Sequence, residues 1–211
     1  MERVQVRFKA RELGDFFAAW ILLSVAFAIF FAGGGSQALR ILQSGDFITP
    51  VIVSLFTAGI GFLFHELGHK YVAVRFGQKA TFQAEYGMLF VALMSAVLGF
   101  IFAAPGAVHH RGMITERQHG IIALAGPATN VLLAVGFIPV FLYGGTFNNA
   151  LLRFVGGRGL IINVFLAGFN LLPLGSLDGK VVFQWHKSVH VGLLISLLGC
   201  TVFLWINGIG I

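Results

Sequence analysis

Charged residues are placed so sparsely along this chain that six uncharged stretches, 16–39, 47–64, 86–110, 118–152, 159–177 and 188–211, make up most of its 211 residues. A helix needs about 20 apolar residues to cross the hydrocarbon core of a bilayer, so each stretch is of crossing length or close to it. Soluble domains carry roughly a quarter charged residues; here the figure is 10%, with 57% hydrophobic. Little is left from which to build a water-soluble domain, and nucleic-acid binding or an appended regulatory module is not expected. The 14 Lys and Arg exceed the 8 Asp and Glu by six. In a chain of this kind basic residues in short loops set orientation and need no anionic partner. The single Cys, Cys200, excludes an intrachain disulfide.

The basic residues predict how the chain threads. Arg3, Arg7, Lys9 and Arg11 precede the first apolar run, Phe16 to Ala32, which places the N-terminus on the cytoplasmic side. The run is longer than the 7–15 residues usual for the apolar core of a signal peptide, so an uncleaved helix is expected. Before it, the alternation Val4, Val6, Phe8 suggests a short strand. A second helix returns from about Ile48, and Lys70, Arg75 and Lys79 follow its inner end. The run from Tyr86 to His110 has basic residues on both flanks. It is therefore expected to dip in and return, as a helical hairpin or as a helix followed by a strand around Pro105-Gly106, with a sixth crossing as the alternative. Helices over Gly120 to Tyr143, Gly159 to Leu174 and Val189 to Ile206 complete the path. Eleven of the 14 basic residues then lie inside and three, Arg40, Arg153 and Arg158, outside.

Against this apolar background the run Phe64-His65-Glu66-Leu67-Gly68-His69 stands out. His65 and His69 are four apart, about 40° around a helix and about 6 Å along it, so both imidazoles can reach one metal ion. Glu66 is then placed beside a water at the metal, as general base and not as ligand. A charged group inside a transmembrane segment costs about 2.5–3.5 kcal/mol even on the lenient scale. Solvated residues near a helix end are the plainer explanation, since Lys70 is adjacent, but a carboxylate kept between two histidines argues for a site.

A hydrolytic zinc site takes three protein ligands and one open position. The apolar stretches offer Asp178, His109, His110, His119, His186 and His190 as the third. Asp178 is favoured: it follows Asn170-Leu171-Leu172-Pro173-Leu174-Gly175-Ser176-Leu177 and precedes Gly179, so that Pro173 interrupts the helix and Gly179 permits a sharp turn back toward the bundle. Capping of the next segment is the competing role for Asp178. Asn170, an amide in an apolar helix, must hydrogen-bond something, and a helix–helix bond would serve. Ala125, Gly126 and Ala128 with Pro127 read as a close helix contact with local unwinding, and Asn130 is ambiguous.

Phe64 to His69, Ala125-Gly126-Pro127-Ala128-Thr129-Asn130 and Asn170 to Gly179 together resemble the three signature segments of the site-2 protease family, intramembrane zinc metalloproteases, and occur in that family's order. The resemblance implies that His65, His69 and Asp178 ligate one Zn2+ per chain, that Glu66 activates water, and that Asn170 holds the substrate carbonyl or the oxyanion. It implies a transmembrane protein as substrate and a cell-membrane location with the active site toward the cytoplasm. One departure is the apolar stretch Tyr86 to Phe100, which precedes Phe102 to Val108, the part that resembles the family's membrane-embedded strand and a docking edge for an extended substrate.

The fold expected is an all-α polytopic membrane protein. It has five to six transmembrane helices and a re-entrant or β-hairpin element between the His65/His69 helix and the next core helix. The whole chain, 1–211, reads as one membrane-embedded metalloprotease domain, with a core over 48–187 and flanking helices at 16–32 and 189–206. No PDZ pattern is present, and the oligomeric state is open. A metal-binding or metal-transporting protein using His109, His110, His186 and His190 is the alternative from another class. A silent scaffold and a zinc-dependent lipid hydrolase are further ones.

Overall fold

The computed structural model describes residues 6–103 and 105–210. Among these residues five helices are long and apolar enough to cross a membrane: Ala10–Phe31, Ile48–Arg75, Glu116–Thr146, Ala150–Asn170 and Lys187–Ile206. With one small sheet beside them, this is an all-α polytopic membrane protein. The chain divides into two compact units, one of Arg7–Leu63 with Ala80–His109, the other of Phe64–Lys79 with most of the chain from His110 onward.

In the first of these units α1 (Ala10–Phe31) begins six residues earlier than Phe16 and takes Glu12 and Asp15 into a helix where both are buried. Neither needs water there. Glu12 Oε1 accepts from the Phe82 N–H at 2.8 Å, and Tyr86 donates its hydroxyl to Asp15 Oδ1 at 2.8 Å. Satisfied carboxylates can stay where unpaired ones could not. Val6 and Phe8 lie in irregular backbone ahead of α1 and form no strand; Val4 is outside the described residues.

After α1 comes α2 (Gly35–Ser44), an amphipathic helix that the spacing of charges does not mark. The second span is α3 (Ile48–Ser54), a π-helical turn (Leu55–Gly59) and α4 (Ile60–Arg75). The π turn is braced by α1: Trp20 Nε1 donates to the Leu55 carbonyl at 3.1 Å, and Gly59 packs directly on Trp20 and Ser24. Such turns are rare and cluster near functional sites; this one precedes His65 by six residues.

The Tyr86 to His110 run resolves as a helix and then a strand. Helix α5 (Tyr86–Val97) has 12 residues, about 18 Å at 1.5 Å per residue, well short of the roughly 30 Å hydrocarbon core. It therefore adds no sixth crossing. Strand β2 (Gly106–Arg111) starts four residues later than Phe102 and pairs with β1 (Lys79–Ala84), a partner strand whose position no residue pattern marks; α5 lies between the two in the chain, so they are not a tight hairpin. β1 mixes Lys79, Thr81 and Gln83 with Phe82; it is too short and too polar to register as an apolar stretch.

The other unit is built on a hairpin of α6 (Glu116–Thr146) and α7 (Ala150–Asn170). Glycines let the two backbones meet: Gly144 lies on the Arg153 backbone, Gly156 on that of Phe141, and Gly159 on the Phe137 ring. This is the small-residue contact expected where helices associate by packing in lipid. Helix α6 stays continuous through the buried Pro127, so the unwinding expected there is not seen. Helix α7 starts at Ala150, nine residues before Gly159, and ends at Asn170. An irregular turn over 171–177 leads to α8 (Asp178–Trp185) and then α9 (Lys187–Ile206). The left-handed residue of that turn is Gly175, φ +55°, not Gly179. Gly179 is required for another reason: a methyl carbon there would collide with the Leu171 and Leu172 carbonyls.

Candidate metal centre

His65, Glu66 and His69 lie on α4 and are buried. The turn after α7 returns Asp178 to them. Asp178 Oδ2 is 3.2 Å from His65 Nε2 and 3.3 Å from His69 Nε2, and the two Nε2 atoms are 3.0 Å apart. Among the described residues this is the one cluster of three His, Cys, Asp or Glu side chains that could hold a metal ion.

The remaining atoms of the two rings fix which nitrogens are bare. The Gly159 carbonyl can only accept, so Asn163 turns its Nδ2 to it, at 2.8 Å. Asn163 Oδ1 then accepts from Asn130 Nδ2 at 3.0 Å, which leaves Asn130 Oδ1 facing His65 Nδ1 at 2.6 Å. An amide oxygen accepts, so Nδ1 carries the proton. His69 Nδ1 likewise donates to the Ile122 carbonyl at 2.7 Å. Both neutral imidazoles are thereby held with Nε2 lone pairs pointing at each other and at a carboxylate oxygen.

Three electron-rich atoms converging without a hydrogen between them repel unless a cation joins them. Zn–N and Zn–O bonds of about 2.0–2.2 Å in a tetrahedron put donor atoms about 3.3 Å apart; the observed 3.0–3.3 Å fits. Gly126 completes the cradle. A methyl carbon at this position would overlap Nε2 of both His65 and His69, so the absence of a side chain keeps the donors clear. The donor set, their protonation and the space all suit Zn2+.

Two residues of this centre do not declare their roles in the sequence. Gly126 reads there as a helix contact only, and Asn130 is ambiguous. They are four apart on α6, so they share a face one turn apart; a close helix contact at Gly126 already points Asn130 at the same neighbour. Asn163 carries no signal at all. Outer hydrogen bonds of this kind typically contribute 10–100-fold to metal affinity. Asn130→Ala is therefore expected to weaken metal binding by that factor, measured by chelator competition on the purified protein; unchanged affinity would make the His65 bond incidental.

The other candidates do not join the cluster. His110 packs against His119 with ring centroids 5.6 Å apart, His186 caps α9 by accepting from Val189 N–H, and His190 contacts the Leu171 carbonyl. His109 lies in β2. Asn170 donates Nδ2 to Leu166 O at 2.9 Å, within its own helix, instead of bonding across to a neighbour.

Three curated proteins are similar in sequence. The chain is 39% identical over 159 residues to "Putative zinc metalloprotease MJ0611" of Methanocaldococcus jannaschii, covering 74% of this chain and 82% of that protein. It is 33% identical to "Putative zinc metalloprotease YwhC" of Bacillus subtilis, over 59% of this chain and 64% of the relative. It is 32% identical to "Putative zinc metalloprotease Rip2" of Mycolicibacterium smegmatis, over 58% of this chain and 52% of the relative. No family profile and no solved structure matches the chain.

Proposed function

Because this chain belongs to the site-2 protease family of zinc metalloproteases, we propose that it is an endopeptidase that works inside the bilayer, hydrolysing a peptide bond within or near a transmembrane segment of another protein. One observation carries the reading: His65, Glu66 and His69 lie on a helix long and apolar enough to cross a membrane, Ile48–Arg75, and Asp178 is brought to the two histidines there. Charge in such a span is costly and is kept where it serves a function, which supports chemistry at membrane depth.

In this reading His65, His69 and Asp178 hold zinc and residues 48–187 form the catalytic core. Bound zinc supplies Lewis acidity, which lowers the pKa of water and polarises a carbonyl. Glu66 accepts the proton of the attacking water and delivers it to the amine as the C–N bond breaks, so that water divides between the new carboxylate and the new amine. Asn130 and Ile122 O keep the two imidazoles in the ligating tautomer throughout. Asn170 is the candidate for holding the substrate carbonyl or oxyanion; to do so it gives up its bond to Leu166, a loss of about 1 kcal/mol. The substrate helix must unwind locally, since its own hydrogen bonds close the backbone to attack. The excess of basic residues on one set of loops supports a cell-membrane protein with the N-terminus and the site toward the cytoplasm.

The test is purified protein in liposomes with single-span substrates carrying helix-breaking residues at different depths. Cleavage mapped by mass spectrometry to positions within or beside the span, abolished by a zinc chelator and restored by Zn2+, is expected. Cuts confined to soluble loops, or cleavage of a soluble unfolded protein at equal rate, would overturn the bilayer reading while leaving the metalloprotease.

A further inference from the structure

Asp178 is the one donor that does not come from α4. It arrives from the irregular turn over 171–177, followed by a helix of only eight residues, yet its carboxylate sits within 3.3 Å of both imidazoles. Something must hold that turn. Leu171 opens it at the C-cap of α7, where carbonyls lose their partners within the helix. Its side chain is fully buried in a cluster with Ala123 and Val182, and its carbonyl meets two groups. One is the backbone of Gly179, packed against it so closely that no side chain fits. The other is His190 of α9, whose Nε2 is 2.7 Å away.

His190 is 2% exposed, and the Phe183 ring of α8 stands edge-on to it at 5.2 Å. A carbonyl only accepts, so Nε2 carries the proton and donates. Nδ1 has no hydrogen-bond partner among the described residues. A half-satisfied imidazole is a costly way to fill space that Leu or Phe could fill, and its one bond goes to the residue that starts the turn to Asp178. We infer that His190 is a positioning residue for the metal centre: from a separate helix it fixes the Leu171 carbonyl, and through the Leu171–Gly179 contact it fixes the direction in which Asp178 returns to His65 and His69. This rests on the reading of Asp178 as a ligand.

Gln and Asn separate the two ring nitrogens of a histidine. The Gln side-chain nitrogen reaches about as far as Nε2; that of Asn reaches only as far as Nδ1. His190→Gln should keep the bond to Leu171, and His190→Asn should lose it. Full-length protein in detergent is loaded with Co2+, whose visible absorption reports ligand geometry, and zinc affinity is measured by chelator competition. His190→Asn is expected to change the cobalt spectrum and weaken zinc binding by about 10–100-fold, with His190→Gln close to wild type in both. His190→Met, which keeps volume and removes the donor, takes the place of Asn if that variant does not fold. Equal behaviour of Gln and Asn, or of Gln and Met, overturns the inference. Asp178→Asn is the reference: if it leaves zinc affinity intact, the ligand reading itself fails, whereas loss in Asp178→Asn beside wild-type affinity in His190→Asn and His190→Met sinks only the role of His190.

Discussion

Glu66→Gln is expected to lower the cleavage rate by a factor of about 100 to 10,000 while zinc stays bound at full stoichiometry. Gln has the same shape but accepts no proton at neutral pH, so the substitution removes proton transfer and little else. The fold should not suffer. Glu66 is buried on a helix that crosses a membrane, and replacing a carboxylate by a neutral amide relieves part of the cost of charge in such a segment. Cleavage of a transmembrane substrate, metal content by elemental analysis and a thermal melt, all on one preparation, separate the possible roles. Loss of zinc along with activity would make Glu66 a ligand. Retained activity would remove it from the chemistry altogether and would favour a metal-binding or metal-transporting protein.

The parts of this molecule that are legible in its sequence are those that run against the cost of burial. Long gaps between charges predict spans because charge in hydrocarbon is expensive, and His65, Glu66, His69 and Asp178 stand out because each ignores that rule. The same logic misplaces the start of α1, since Glu12 and Asp15 are buried with partners supplied from residues 82 and 86, a pairing no local pattern displays. β1 escapes notice because a six-residue strand with polar alternation has no apolar signature. The role of Asn130 cannot be read because an amide in a helix bonds whatever faces it, and only the packing of α6 on α4 brings it to His65. Gly179 suggests a turn from the usual habit of glycine; its actual function, close approach to the Leu171 carbonyl, depends on how the turn over 171–177 folds back on the end of α7.

Gly126→Ala is expected to cost at least about 100-fold in zinc affinity, and cleavage with it, although it adds a single methyl group. That methyl would fall 2.5 Å from His65 Nε2 and 2.6 Å from its Cε1, and would overlap His69 Nε2 as well. The rings cannot rotate aside without breaking Nδ1 bonds of 2.6 and 2.7 Å to Asn130 and Ile122. Moving α4 away from α6 would give up the close packing at Gly68, where the helices meet at backbone distance and a methyl carbon would lie 2.9 Å from Ala125 O. The strain therefore falls on the two donor atoms. For global stability the effects oppose: overpacking costs about 1–3 kcal/mol, while Ala in place of Gly inside a helix gains up to about 1 kcal/mol. The melting temperature should move by a few degrees, while metal binding collapses. At Gly136, on the same helix, an added methyl would meet nothing within 4 Å, so Gly136→Ala is the control and should leave zinc affinity and cleavage at wild-type level. Wild-type zinc affinity in Gly126→Ala would show that the rings have room to spare, and the cradle around Nε2 of His65 and His69 would have to be abandoned.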